Sequence, residues 1–150
     1  MHSFIYQISE QPISEDEYIS EFEFREGYSH ILDYVDEHIS ENDVERALEN
    51  LKCNLRGLCE VNGRELTTLD VKPFQAEFIG SIKKTADEIS CEDIWKLECM
   101  LKQTHRMCKS LFYTDNWAAH AEFLFDFMDY ISYLGPGKKL YVGAILDFHW

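Results

Sequence analysis

Basic residues are scarce in this sequence. The 14 lysines and arginines stand against 28 aspartates and glutamates, which gives a formal net charge of −14. The imbalance is concentrated at one end, because residues 1–50 contain 14 acidic and 2 basic residues, whereas residues 51–150 contain 14 and 12. An acidic surface repels phosphates, so we predict that the chain binds neither nucleic acid directly nor an anionic membrane face.

Proline, glycine and long apolar runs are also scarce. Three prolines and seven glycines in 150 residues are too few for a long linker or a low-complexity region. No apolar run approaches the roughly 20 residues that cross a bilayer, and the first residues lack the basic and apolar regions of a signal peptide. We therefore expect a cytoplasmic protein that folds as a single domain over residues 1–150.

The recognised motifs of catalysis and cofactor binding are missing. The sequence has no Walker A loop, dinucleotide-binding glycine motif, HExxH zinc motif, CxxC pair, EF-hand loop or GxSxG elbow. His120 and Glu122 have the form of the zinc deaminase HxE pair, but its PCxxC partner is missing, and we interpret both as residues of a helix over 117–134. We therefore predict a protein that uses no cofactor and is not an enzyme.

The five cysteines show no regular close spacing, which argues against a disulfide framework. His105 and Cys108 are three residues apart on a predicted helix, and Cys99 precedes them. With Cys53 or Cys59 they are candidates for a metal site or a thiolate–imidazolium pair. Buried structural cysteines are far more common than such sites. We therefore predict no metal ligands. A Cys/His-based metal-binding protein or enzyme stays as the second functional hypothesis.

Apolar periodicity predicts an α+β fold, in which helices pack on a small mixed or antiparallel sheet with an apolar C-terminal strand. Alternation predicts a strand over 3–9, Asn62–Gly63 predicts a two-residue hairpin turn, and the run from Leu140 to Leu146 predicts a central strand. Helical spacing predicts helices from Tyr28 to Ile39, after the N-cap Ser40, from Pro73, after the N-cap Ser90, and over 117–134.

Residues 13–24, ISEDEYISEFEF, contain five carboxylates and no basic side chain, and we call them the acidic segment. A serine followed three residues later by a glutamate forms a capping box, so Ser14 and Glu17 predict a short helix. The second half, SEFEF, supports two interpretations. Its alternating phenylalanines and glutamates favour a half-buried strand, whereas its serine and second glutamate repeat the capping box.

The acidic first third departs most from average composition, and it carries the principal functional hypothesis. Its charge would steer a basic protein partner, and its interleaved aromatic residues are typical of interfaces. We expect a non-enzymatic interaction protein, such as a nucleic-acid mimic or an inhibitor of a nucleic-acid-handling protein. On a strand, Glu21 and Glu23 would be about 6.6 Å apart, close to two phosphate steps of DNA. The predicted partner-binding residues are Glu15, Asp16, Glu17, Tyr18, Glu21, Glu23, Glu26, Asp33, Asp36 and Glu37.

Two further interpretations stay open. The acidity can serve only solubility and helix capping, because carboxylates stabilise the first turn of a helix. Alternatively, the protein is a structural or self-associating module without a small-molecule site. In a homo-oligomer of that kind, a basic patch at Lys102, His105, Arg106 and Lys109 would pair with the acidic third of a second copy.

Overall fold

A mixed sheet organises the fold in the computed structural model, which describes residues 2–24, 34–90, 93–96, 98, 110–114 and 121–149. Its strands are β1 (His2–Ser9), β2 (Tyr34–Asp36), β3 (Cys59–Asn62), β4 (Glu65–Thr68), β5 (Leu111–Thr114), β6 (Ala121–Glu122) and β7 (Lys139–His149). Helices in the described ranges include α1 (Glu41–Asn54), α2 (Lys72–Glu88), α3 (Leu124–Leu134) and two 3₁₀ helices, Glu15–Glu17 and Glu21–Phe24. The predicted α+β fold is confirmed.

The C-terminal strand β7 lies at the centre of the sheet. β1 pairs with it antiparallel over residues 141–149. On its opposite edge, β4 pairs with residues 139–141 and β2 pairs with residues 147–149. β5 lies parallel to β1, so the sheet is mixed, and the order is β3-β4-β7-β1-β5-β6 with β2 beside β7. The apolar run in β7 is explained by burial, because side chains from both faces of this strand belong to buried clusters and have little contact with water.

Each face of the sheet is covered by a different part of the chain. The even-numbered residues Phe4, Tyr6 and Ile8 of β1 belong to a buried cluster that also includes residues of α1 and α3. Ile5 of β1 belongs to a second cluster, which includes Ile19 and Phe24 of the acidic segment. Successive residues of a strand point to opposite faces. The helices therefore cover one face, and the acidic segment covers the other.

A β-bulge in β7 lies beneath the acidic segment. Tyr6 pairs with Ile145 and Ile8 pairs with Val142, so β7 has one more residue than β1 in this interval. The extra residue reverses the side-chain alternation of the strand. Val142 thus packs in the helix-side cluster, whereas the next even-numbered residue, Ala144, packs with the acidic segment.

The side chain of Gln7 fills the space opposite the bulge and ties the acidic segment to the sheet. Gln7 is only 4% exposed. Its Oε1 accepts hydrogen bonds from the backbone N–H of Ile19 (3.2 Å) and of Ala144 (3.0 Å), and its Nε2 donates to the carbonyl oxygen of Glu17 (3.0 Å). A buried amide must have such partners. These bonds therefore hold residues 17–19 at a defined position above β7.

Gly143 has no side chain, and so it leaves the space that the ends of the Gln7 and Ile13 side chains occupy. A Cβ at this position would lie 2.7 Å from Ile13 Cδ1 and 2.8 Å from Gln7 Oε1. Both distances are shorter than carbon atoms tolerate, and both neighbours belong to the packing between the acidic segment and the sheet. Glycine is thus the residue that permits the Gln7 amide to lie against the bulge.

Several sequence predictions about the N-terminal third are corrected by the structure. Glu21–Phe24 is a 3₁₀ helix, so the strand interpretation is wrong and the capping box prevails, with Ser20 N donating to Glu23 Oε2 (3.1 Å). The strand spacing of about 6.6 Å between Glu21 and Glu23 therefore does not apply. The predicted helix from Tyr28 to Ile39 is wrong over 34–36, which form β2, because pairing with β7 outweighs the local helical pattern. Its first six residues lie outside the described residues.

Other predicted elements are confirmed with changed boundaries. The hairpin is present, but Asn62 pairs with Glu65, so the turn residues are Gly63 and Arg64 rather than Asn62 and Gly63. α3 begins at Leu124, and the preceding Ala121–Glu122 pair with β5 as a strand instead of continuing the predicted helix. The helices after Ser40 and from Pro73 are confirmed. No helix in the described ranges is long and apolar enough to span a membrane.

We expect Gly143→Ala to lower the free energy of unfolding by roughly 1–3 kcal/mol, because the new Cβ overpacks against Gln7 and Ile13. Gln7→Ala should cost a similar amount, roughly 1–3 kcal/mol, because it leaves two buried N–H groups without an acceptor. The double variant should lose less free energy of unfolding than the two single variants together, because removing the Gln7 side chain also removes one of the clashes that Gly143→Ala creates. Urea unfolding followed by circular dichroism measures all three.

Gly80→Ala is the matched control for that comparison. Gly80 lies within α2, and a Cβ there would meet no atom within 4 Å. Alanine is favoured over glycine in a helix by roughly 0.5–1 kcal/mol, so this variant should be more stable than the parent. Equal effects of Gly143→Ala and Gly80→Ala would contradict the role assigned to Gly143.

Candidate interaction cleft

A cleft of about 480 Å³ opens at the edge of β7, in the interval between β4 and β2. Ala144, Ile145 and Leu146 form its β7 wall. Within the described ranges, no strand pairs with these three residues on that edge. The interval exists because β4 and β2 are short strands that pair only with the two ends of β7.

The two sides of the cleft come from the two layers that cover the sheet. Glu15, Tyr18, Ile19 and Ser20 form the side contributed by the acidic segment. Glu37, His38 and Ile39, which follow β2, form another side together with Val44 at the beginning of α1. The cleft is thus lined by apolar side chains together with two carboxylates, one histidine and one arginine.

The acidic segment holds its 3₁₀ helix through the capping box that the sequence predicts. The backbone N–H and the hydroxyl of Ser14 both donate to Glu17 Oε2, at 3.1 and 2.6 Å. Both bonds stabilise the charged carboxylate and lower the pKa of Glu17 below its ordinary value of 4.5. The bond from the hydroxyl has the larger effect, and the bond from the N–H has the smaller one. Glu15 and Asp16 are exposed, and their carboxylates have no partner among the described residues.

A hydrogen bond joins the second half of the acidic segment to the end of β2. The backbone N–H of Glu21 donates to Glu37 Oε2 at 3.1 Å. The neighbouring Asp36 accepts from the backbone N–H of His38 (2.8 Å) and from the hydroxyl of Tyr34 (3.0 Å). Both donors lower the pKa of Asp36, and the N–H of His38 has the larger effect. Carboxylates that are far apart in the sequence are thus brought to one surface.

Two aromatic side chains stand exposed beside these carboxylates. Phe22 is 61% exposed on the second 3₁₀ helix, and Tyr34 is 54% exposed on β2. The hydrogen bond to Asp36 raises the pKa of Tyr34, and the negative charges of Asp36, Glu21 and Asp147 raise it further. Aromatic residues are enriched in protein interfaces.

Arg64 closes the end of the cleft next to β4. As the second turn residue of the β3–β4 hairpin, it accepts a hydrogen bond from the backbone N–H of Val142 at 2.8 Å. Its guanidinium Nη1 donates to the carbonyl oxygens of Val142 (3.3 Å) and Gly143. Sequence reasoning missed Arg64 as a cleft residue, because its place depends on the hairpin register and on the bulge in a strand 78 residues away.

Three of the ten predicted partner-binding residues line this cleft. Glu15, Tyr18 and Glu37 line it. The remaining described members lie on the two 3₁₀ helices or at the end of β2, namely Asp16, Glu17, Glu21, Glu23 and Asp36. Glu26 and Asp33 lie outside the described residues. Sequence reasoning missed Ser20, His38 and the β7 wall, which carry no motif of their own.

The Cys/His hypothesis receives no support from the described part of the chain. Cys99, His105, Cys108 and His120 lie outside it. Within it, no group of three or more histidines, cysteines, aspartates and glutamates is placed to hold a metal ion. Burial raises the pKa of Cys59 to about 12, so its thiol stays protonated at neutral pH and is unsuited to nucleophilic attack.

The chain matches no protein-family model, no curated protein and no solved structure.

Ser14→Ala should raise the pKa of Glu17 toward 4.5, because the hydroxyl that lowers it most is removed. A lowered pKa in the folded state adds stability above the unfolded pKa, and this stability is lost as the pH falls through the folded value. The variant should therefore lose less stability on acidification below pH 4.5. NMR titration of the Glu17 side chain measures the shift. Ser90→Ala is the control, and an equal effect of both variants would refute the capping assignment.

We expect iodoacetamide to alkylate Cys53 in the folded protein and to spare Cys59. Cys53 is exposed on α1, whereas Cys59 is buried on β3 with a raised pKa. Peptide mapping by mass spectrometry measures the rate at each cysteine, and urea-unfolded protein is the control in which both react. Comparable rates in the folded protein would show that the thiol of Cys59 is accessible and ionised.

Proposed function

We propose that this protein is a non-enzymatic interaction protein whose acidic cleft binds a basic protein partner. The observation that carries the proposal is the convergence of carboxylates from separate parts of the chain on one cleft. Glu15 and Glu37, which are 22 positions apart in the sequence, line the same opening. The exposed aromatic residues Phe22 and Tyr34 lie on elements joined to Glu37 and Asp36 by hydrogen bonds.

Helix capping explains the position of several carboxylates without removing their charge. Glu17, Glu23 and Glu37 accept hydrogen bonds from backbone N–H groups of this chain. These bonds are dipolar, so each carboxylate keeps its negative charge and still contributes to the potential around the cleft. Glu15 and Asp16 accept no such bond among the described residues, and they are the acids best placed to meet an external cation.

The charge distribution supports a protein partner rather than nucleic acid or membrane. A net charge of −12 in residues 1–50 attracts basic surfaces over several ångströms and repels phosphates and anionic lipids. An inhibitor of a nucleic-acid-handling protein belongs to this proposal, as does a cytoplasmic location. The nucleic-acid mimic version has the charge in its favour, but the regular strand of carboxylates on which it was based is replaced by a 3₁₀ helix.

We expect the double variant Glu15→Gln/Asp16→Asn to bind the partner more weakly by roughly three- to tenfold at low ionic strength, mainly through slower association. Basic proteins captured from a lysate of the source cells are first identified by quantitative mass spectrometry. The affinity of the principal captured protein is then measured by surface plasmon resonance at low and high salt. The difference between parent and variant should shrink as salt screens the charges.

The matched control is Glu77→Gln/Asp87→Asn, which removes the same charge from exposed positions of α2. If net charge alone determines binding, the two double variants weaken it equally. If neither variant changes the captured proteins or their salt dependence, the acidic cleft is not a binding surface and the proposal is wrong.

A further inference from the structure

We infer that the cleft holds an extended segment of the basic partner as an added strand along the edge of β7. The inference rests on the proposed function and specifies its mode of recognition. It is carried by a different observation, which is the interval that β4 and β2 leave on the central strand. Addition of a strand to such an edge is a common mode of peptide recognition.

The length of the interval suits a short strand. Arg64 engages the backbone of Val142 and Gly143, and pairing with β2 begins at Asp147. Three residues, Ala144 to Leu146, lie between these points and line the cleft. At about 3.3 Å per residue they extend over roughly 10 Å, which matches three residues of an added strand.

Ala144, Ile145 and Leu146 are only 7%, 6% and 0% exposed, so a ligand reaches the backbone polar groups of the interval through the cleft. The N–H of Ala144 is bound by Gln7 on the β1 side. Ile145 and Leu146 are consecutive residues of the antiparallel ladder with β1, opposite Tyr6 and Ile5. In such a ladder, consecutive residues direct their N–H and C=O groups to opposite edges. One of these two residues therefore presents a donor and an acceptor to the cleft.

The walls of the cleft suit the alternating side chains of a strand. Successive side chains of an added strand point to opposite faces of the sheet. On one face they would meet Tyr18 and Ile19 of the acidic segment, and on the other they would meet Ile39 and Val44. Both pairs offer apolar contact, so apolar side chains of the segment would be buried on both faces of the added strand.

The charged side chains that line the cleft specify the chemistry of the occupant. Glu15 and Glu37 line the cleft on two of its sides. A lysine or arginine of the added strand would lie within reach of these carboxylates. Arg64 closes the opposite end, next to β4, where its positive charge disfavours a second basic residue. The favoured occupant is thus an extended segment with apolar residues and a basic residue toward the β2 end.

The probe for the test is an acetylated and amidated peptide of valines with one terminal lysine, the lysine–valine peptide. Its control is the same peptide with N-methyl groups on every backbone nitrogen, which keeps the charge but leaves neither edge of the peptide with donors for a strand ladder. Amide exchange of the ¹⁵N-labelled protein is measured by NMR. In the free protein, the amide of Ile145 or Leu146 that faces the cleft should exchange faster than the other, which faces β1, and the peptide should slow its exchange at least about tenfold.

Three results would overturn the inference. Slow exchange of both amides in the free protein would show that the edge is already covered. Equal binding of the parent and N-methylated peptides would show that charge alone attracts them. Absence of peptide binding, together with intact and charge-sensitive capture of the basic partner, would exclude strand addition while leaving the proposed function standing.

The failure of the proposed function has a different signature. In that case the Glu15→Gln/Asp16→Asn variant captures the same proteins as the parent, and the lysine–valine peptide binds no better than a glutamate–valine peptide. Strand addition is supported only if the lysine–valine peptide is preferred over both its N-methylated and its glutamate counterparts.

Discussion

The hydrogen bonds of the Gln7 side chain are the constraint on which the arrangement of the acidic segment depends. One buried amide joins three pieces of chain, namely β1, the bulge of β7 and residues 17–19. It can lie there because Gly143 has no side chain. A segment rich in carboxylates would otherwise have only a few apolar residues, such as Ile19 and Phe24, to hold it against the sheet. Gln7 thus converts an acidic stretch into an ordered surface.

The cleft and the core have a common origin in the central strand. On one edge of β7, β1 pairs with residues 141–149, whereas on the other edge β4 and β2 cover only the two ends of the strand. The interval that results is lined by residues from both layers of the sheet, which explains why apolar and acidic side chains meet there. Position in the fold, rather than any local motif, creates the candidate site.

Two kinds of acidic residue are distinguished by their hydrogen bonds. Glu17, Glu23, Asp36 and Glu37 accept bonds from backbone N–H groups and so contribute to the local fold. Glu15 and Asp16 have no such contact among the described residues. The hydrogen bonds of the first group explain the positions of its side chains, but these carboxylates keep their negative charge. The excess charge of the N-terminal third is therefore the physical basis for proposing a basic partner.

Much of the fold follows from local patterns in the sequence. The alternation in β1, the capping box of Ser14 and Glu17, the N-cap Ser40 and the apolar run of β7 all predicted elements that are present, because each depends on residues a few positions apart. Features that depend on residues far apart in the sequence were determined by tertiary structure. Residues 34–36 became a strand because β7 offered an edge, and Arg64 reached the cleft because the hairpin turn shifted by one residue. The sequence by itself determined the elements and their charge, whereas only long-range pairing placed Gln7, Gly143 and the carboxylates around one opening, since those contacts join residues up to 137 positions apart.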